Sequence, residues 1–466
     1  MQKENRIICK KTKQNNNRKK TKKLKKEEMK TMQNRNEGIT LIALIITIII
    51  LLILVGVSIN LAIKGDLFGS AEKAVSGTND KVAQEQTRVD ELMGELGRVE
   101  EQQRQDNLPG TRVTENTKYV SNGKTAWIPK GFTVSGIKSE QSIDNGLVIY
   151  DIPEGTTPDW SNPDSVKTKY NQFVWIPVEV KSTDTENSIE SFYRSKWAEN
   201  TATGGERTTG LSTDYTEPDS TNDTADKTGI AGQITELTKS IYKYGGFYIG
   251  RYEAGSKTER QQSSSQTAEF VVQQDKYPYN YVKWGDSMSS IGTTGAVYLS
   301  NSLYNTNEYG ATSMLCTGAC WDSMLDFIKD SSHSVTDSTT WGNYKDSETY
   351  KINRGKYAVL SSSTLGNFQD VVNEYSKEKS KSILLTTGST ERNSSKNIYD
   401  VAGNCWEWTT ESYSSSTRVY RGRLLRRRWF WPSSEYPHQQ RSDRQWQRPR
   451  LSSSTLCKAV GLQAIY

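Results

Sequence analysis

Apolar and polar positions divide the chain into blocks of different texture. Residues 1–38 are rich in Lys, Arg and Asn without apolar periodicity, and read alone as a disordered basic leader. From Ile39 to Ile63 runs an uncharged apolar stretch of 25 residues, long enough to cross a bilayer as a helix. Residues 64–110 predict a helical stalk: Val89, Leu92, Leu96 and Val99 recur at three- and four-residue spacing among charges. Gly94 and Gly97 weaken that helix and Leu108-Pro109-Gly110 ends it. From residue 111 the texture changes to short strand candidates separated by turns, at Ala126–Pro129, Leu147–Tyr150 and, most clearly, Gln172–Val178. Residues 181–227 are polar and predict a long surface excursion.

Beyond that insertion the pattern sharpens. In Gly245–Ala254, Phe247 and Ile249 alternate with Tyr248 and Gly250, a half-buried strand, and strand spacing puts Arg251 and Glu253 on one face as an ion pair. Trp321, Met324, Leu325 and Ile328 fall at the spacing of an amphipathic helix. Cys316 and Cys320 precede and enter it as two buried thiols or, alternatively, a disulfide. The stretch Asn397–Trp408 combines a Gly403-Asn404 turn of positive φ with Trp406 and Trp408 on one side of a strand and Glu407 on the other. Its plain reading is a turn feeding a core strand.

Charge changes the picture. The net +6 is unevenly spread: 1–38 carries +10 and 421–466 carries +8, which leaves −12 on 39–420. The acidic body excludes nucleic acid as a partner inferred from total charge. The basic flank places the N-terminus in the cytoplasm, makes the membrane the partner of residues 39–63 and faces the rest outward, an extracellular domain. Five cysteines, with Cys9 in the leader, are few for a disulfide scaffold, and His333 and His438 supply little for histidine metal sites or Ser-His chemistry.

Two resemblances extend this reading. A basic leader ending in Gly38 before a Leu- and Ile-rich helix resembles a type IV pilin-like signal. That implies prepilin peptidase as a partner, cleavage after Gly38 and methylation of Ile39. Ala43 stands where such signals carry Glu, which argues against a polymerising major pilin and leaves a pseudopilin-like protein or a plain signal anchor. Ordered matches between residues 170 and 422 are similar to the formylglycine-generating enzyme (sulfatase-modifying factor) family. They run through Trp175, then Gly246, Tyr248, Arg251 and Glu253, then Trp321 and Asp322, then Asp400, Gly403, Asn404, Trp406, Glu407 and Trp408, and end at Arg421 and Gly422.

This resemblance implies an α+β fold: a transmembrane and stalk helix, a short-strand linker or start of the ectodomain at 111–170, and an irregular C-type lectin-like domain over 171–422. No cofactor is expected, and calcium, which the family often holds, is the alternative the resemblance implies, with Asp400, Asn404 and Glu407 as donors. The family's copper-dependent oxidases need a cysteine pair after an Arg-Gly-Gly-Ser motif, and this chain has only Cys457 beyond Arg421-Gly422. No enzyme activity and no catalytic residues are therefore expected. The expected function is a membrane-anchored surface protein whose lectin-like domain displays an adhesive surface for an extracellular ligand, in the manner of diversity-generating retroelement targets. The alternatives are a formylglycine-generating oxidase and a minor pseudopilin of a secretion or uptake machine. Residues 423–466 form an atypical basic tail without strand alternation, and a frameshift that restores Gly- and Tyr-rich sequence after Gly422 accounts for its composition.

Overall fold

The computed structural model describes residues 71–208, 217, 229–259, 268–286, 290–304, 307–361, 364–414 and 417–422, and short strands at 438–441, 458–460 and 464–465. The chain divides into two units, 1–96 and 97–466.

The first unit contributes most of one long helix, Ala71–Asp106, which ends in the second unit. Leu108-Pro109-Gly110 does follow its last turn, with Gly110 at φ 79°. Val82, Leu92, Met93 and Leu96 are exposed between charged side chains. A helix of this composition does not enter hydrocarbon, and among the described residues no helix is long and apolar enough to cross a membrane. The expected leader 1–38, the processing site Gly38–Ile39 and the span 39–63 lie outside the described residues. The membrane-anchored, outward-facing topology is accordingly corrected: the described structure gives it no spanning segment, and the anchor, its peptidase and its localisation are not carried further.

The second unit is α+β with irregular open sheets. Its central sheet has six strands in the order Ser313–Met314, Ala464–Ile465, Gly246–Gly250, Gln172–Pro177, Val148–Tyr150 and Thr133–Val134, each antiparallel to its neighbours. Alternation sends Phe173, Trp175 and Tyr248 into one apolar cluster with Phe132 and Tyr304. Val174, Ile176, Phe247 and Ile249 enter another, beneath the helices Ile230–Tyr244 and Gly318–Ile328. Both faces are covered, so Gly246–Gly250 is buried throughout, where one solvated face was expected.

A second sheet runs His438–Arg441, Thr417–Arg421, Trp406–Ser414, Lys458–Val460. Trp406 and Trp408 do share a face and pack with Tyr420 at ring separations of 4.6 and 5.6 Å. Short strands at 438–441, 458–460 and 464–465 lie within the tail, whose sequence shows no strand alternation.

The polar insertion is also more than a surface excursion. Ile189 and Trp197 join the core, and Lys196–Ala198 pairs with Glu206–Thr208. The amphipathic helix forms as its spacing predicts. Thr317 caps it by accepting from the Cys320 N–H at 3.0 Å, and Trp321, Met324, Leu325 and Ile328 are all fully buried.

Candidate functional site: an oxygen-lined turn at Asp400

The segment Lys396–Asn404 is unusually rich in left-handed backbone. Lys396, Asn397, Asp400 and Asn404 have φ of 47°, 65°, 63° and 58°, and Gly403 has 87°. Asn and Asp enter this region more readily than other non-glycine residues, while Lys396 holds it only where its surroundings over-determine it. Here the determinants are visible. Asn397 Nδ2 donates to the carbonyls of Asn145 and Gly146 at 3.1 and 2.8 Å. The Tyr399 N–H donates to the Arg251 carbonyl at 2.8 Å, and the Asp400 N–H to the Asn393 carbonyl at 3.2 Å.

Asp400 points into the turn Thr386–Ser389. Its Oδ2 accepts from the Gly388 N–H at 2.8 Å, and its buried Oδ1 meets no donor among the described residues. Burial pushes its carboxyl up, the Gly388 N–H pulls it down and the charge of Asp275 adds to the rise, giving about 7. On the other side of the turn, the Asp275 N–H donates to the Thr387 carbonyl at 2.8 Å and Gln274 Nε2 to the Gly388 carbonyl at 3.3 Å. Asp275 Oδ1, Gln274 Oε1 and Asn393 Oδ1 are likewise without a partner among the described residues. Burial raises the Asp275 carboxyl to about 6, against the opposing charge of Arg354.

Gly355 borders the same turn at φ 72°. A Cβ there would fall 2.5 Å from Ser389 Oγ and 2.8 Å from Asp275 Oδ1, with Thr386 Oγ1 closer still, so oxygens line the space that the glycine leaves. Asp275 is half-buried, with its Oδ1 shielded from solvent.

The other expected donors are placed differently. Asn404 Oδ1 accepts from the Leu385 N–H at 2.9 Å and from Asn343 Nδ2 at 3.1 Å, while its Nδ2 donates to the Leu385 carbonyl at 3.1 Å and to Glu253. Its amide is a structural brace, not an open ligand. Glu407 is buried on the second sheet, where its backbone pairs opposite Arg421. Among the described residues no group of three or more His, Cys, Asp or Glu forms a metal cluster. Any cation held at the turn would therefore rely on amide, hydroxyl and carboxylate oxygens together, the donor set hard cations use.

The remaining motif residues build two buried charge networks. Arg251 does not pair with Glu253. Beyond Gly250 the strand ends and strand alternation no longer applies, and Arg251 meets Glu140 at 2.8 Å, with Tyr150 and Gln172 each at 3.2 Å. Asp322 and Glu411 sit between Arg421 and Arg194. Arg421 grips both Glu411 oxygens, at 2.8 and 2.9 Å, and reaches Asp322 at 3.4 Å. Arg194 bonds both acids from the polar insertion. Burial works against the Glu411 charge, yet the two guanidiniums hold its carboxyl at about 2. Glu217 nearby is pushed up to about 7 by burial and by the charge of Glu411. Gly422, at φ 75°, closes the hairpin beside the Cys405 carbonyl.

Sequence reasoning missed Gln274, Asp275, Asn393, Arg194 and Glu217. Gln274, Asp275, Arg194 and Glu217 lie in loops with no period to flag them and meet their partners over more than 90 residues of chain, and Asn393 ends the short helix Glu391–Asn393. Cys316 and Cys320 are free buried thiols, not a disulfide. Burial raises both, Cys320 to about 12, so neither is a nucleophile at neutral pH.

No family model, no curated protein and no solved structure matches this chain. That overturns the resemblance to formylglycine-generating enzymes and to pilin-like signals as an assignment. The lectin-like fold, the adhesive display surface and the retroelement link rested on it and are withdrawn. Short motifs built from Gly, Trp and Asp around turns recur for physical reasons of turn and core formation, and here they carry no family with them.

Proposed function

We propose that the second unit is a non-catalytic module that binds a hard divalent cation of the calcium class at the turn between Thr386 and Asp400. One observation carries the reading: side-chain oxygens of Gln274, Asp275 and Asp400, three residues bonded to the turn Thr386–Ser389, have no hydrogen-bond donor among the described residues, and neither has Oδ1 of Asn393, whose carbonyl holds the Asp400 N–H. Buried polar atoms left this way are costly, and calcium takes 6–8 oxygen ligands of this mixed kind. Asp400 and Asp275 would supply the charge, Gln274 and Asn393 neutral oxygens, and Thr386 and Ser389 hydroxyls at the rim. The buried, raised thiols of Cys316 and Cys320 are poor nucleophiles, which supports a binding reading over thiol chemistry at those two residues.

The pH dependence follows from the two raised carboxyls. Their contribution to stability is present below the ordinary carboxylate range and is lost as pH rises through about 6 for Asp275 and about 7 for Asp400. A bound cation reverses that loss. Calcium at a hundredfold excess over its dissociation constant should stabilise by about 2.7 kcal/mol, an upward Tm shift of about 5 °C at pH 8. At pH 5, where both carboxyls are protonated, the shift should vanish. Asp400→Asn should remain folded and lose the response. An absent shift at pH 8, or an unchanged one in Asp400→Asn, would refute the cation reading.

A second reading has one observation in its favour. Two neighbouring carboxyls raised to about 6 and 7 are also what acid–base catalysis uses. It predicts a stability indifferent to calcium at every pH, so the same titration separates the two.

A further inference from the structure

Three arginines of the second unit are buried among the described residues, Arg251, Arg418 and Arg421, with Arg194 partly buried beside them, and all but one meet a carboxylate. Arg251 meets Glu140, Arg421 meets Glu411 and Asp322, and Arg194 meets the same two acids. Arg418 is the exception. It is fully buried on the strand Thr417–Arg421, and its Nε, Nη1 and Nη2 all lack a hydrogen-bond partner among the described residues. Its guanidinium carbon lies 4.3 Å from the centroid of the Trp284 ring. Burial alone lowers its ionisation, to about 10, with no carboxylate opposing the fall. An unpaired buried charge costs several kcal/mol, and a guanidinium does not escape that cost by losing its proton near neutral pH.

The surroundings indicate what would relieve it. Arg418 and Tyr420 are two residues apart on one strand and so share a face. Tyr420 packs on Trp406 and Trp408, and these three rings belong to one apolar cluster with Trp284. The indole N–H groups of Trp284 and Trp408 are already donated to the carbonyls of Thr409 and Val282, at 2.7 and 3.0 Å. Those two indoles therefore have no donor left to offer, and the open donors belong to Arg418. A cationic fork on an aromatic wall fits a two-oxygen anion carried on a flat apolar body.

We propose that Arg418, stacked on Trp284, binds an organic carboxylate of planar, apolar character. The site is separate from the turn at Asp400 and stands or falls independently of it. The test titrates the full-length protein with benzoate, acetate and inorganic phosphate, following binding heat and Tm. Benzoate should bind one to one and raise Tm, with acetate at least tenfold weaker for want of the ring and phosphate weaker again. Arg418→Met should lose benzoate binding at least tenfold while its own Tm, without ligand, holds or rises, because an unpaired buried cation has been removed. Arg418→Lys keeps the charge but not the fork; it should bind benzoate weakly, and it serves as the second variant if the methionine form does not fold. Failure of all three anions to bind the wild type would overturn the proposal. So would equal benzoate binding by either variant, or a Tm loss in Arg418→Met that shows a structural partner. Phosphate binding that is equal in wild type and variants, without benzoate binding, would mean that only an adventitious ion is held.

Discussion

Replacing Arg421 with methionine is expected to cost about 3–5 kcal/mol, the range for breaking a buried ion pair by removing one member. Arg421 is fully buried and makes three charge-assisted contacts, two to Glu411 and one to Asp322. Without it both acids share Arg194 alone, and Glu217 already stands against the same acidic charge. The loss should also depend on pH in a defined direction. Glu411 sits at about 2, below its ordinary value, so its contribution is present above the ordinary carboxylate range and is lost as pH falls toward 2. The deficit of the variant should therefore be full at pH 7 and narrow as pH falls from ~4 toward 2, where Glu411 takes up a proton in the wild type as well. Chemical denaturation at the two pH values measures it. A deficit under about 1 kcal/mol at pH 7, the scale of an exposed pair, would show that the network is solvated.

Gly146→Ala is expected to be comparably damaging, for a steric reason. Gly146 has φ 88°, and a Cβ there would overlap the backbone carbonyl of Lys396, which cannot rotate away as a side-chain tip can. The same contact carries the two bonds from Asn397 Nδ2 to the Asn145 and Gly146 carbonyls. Alanine would push the Ser395–Ile398 hairpin off the sheet and with it the chain leading to Asp400. A loss of about 3 kcal/mol or more is expected, combining left-handed strain with a backbone shift. Gly123 provides the control: it has φ 74° with nothing within 4 Å, so Gly123→Ala should cost only about 1 kcal/mol. Equal losses in the two variants would mean that the hairpin is not pinned at Gly146.

Much of the framework was legible because it rests on period. Gln172–Pro177 announces itself as a strand by an unbroken apolar run. The Gly318–Ile328 helix does so by the spacing of Trp321, Met324, Leu325 and Ile328. What period could not show was coverage: Tyr248 and Ile249 face opposite clusters, and only the fold reveals that both sides are packed. Nor could it show where a strand stops. The expected Arg251–Glu253 pair fails because alternation ends at Gly250, and Arg251 finds its acid more than 100 residues earlier in the chain.

The site divides in the same way. Asp400, Asn404 and Glu407 were expected as donors only through the resemblance, and of these Asn404 is consumed in bracing Leu385, Asn343 and Glu253. Gln274 and Asp275 come to the turn from a loop, and Asn393 holds Asp400 from the end of the short helix Glu391–Asn393, with no spacing to announce them. Motif order between residues 170 and 422 suggested a family that the comparisons do not sustain. Such motifs encode turns and cores before they encode descent.

The most direct test of the cation site is terbium luminescence, because Tb3+ takes calcium sites and is excited by nearby tyrosine. Tyr252 lies against Gly388, with a Cβ at that glycine falling 2.7 Å from its Cδ1, and Tyr399 packs on Tyr252 at 5.1 Å. The account predicts tyrosine-sensitised emission that saturates at one ion per chain, is displaced by calcium, fades as pH falls through the 6–7 range and is lost in Asp400→Asn. Absence of sensitised emission at pH 8, or emission unchanged in Asp400→Asn, would contradict it.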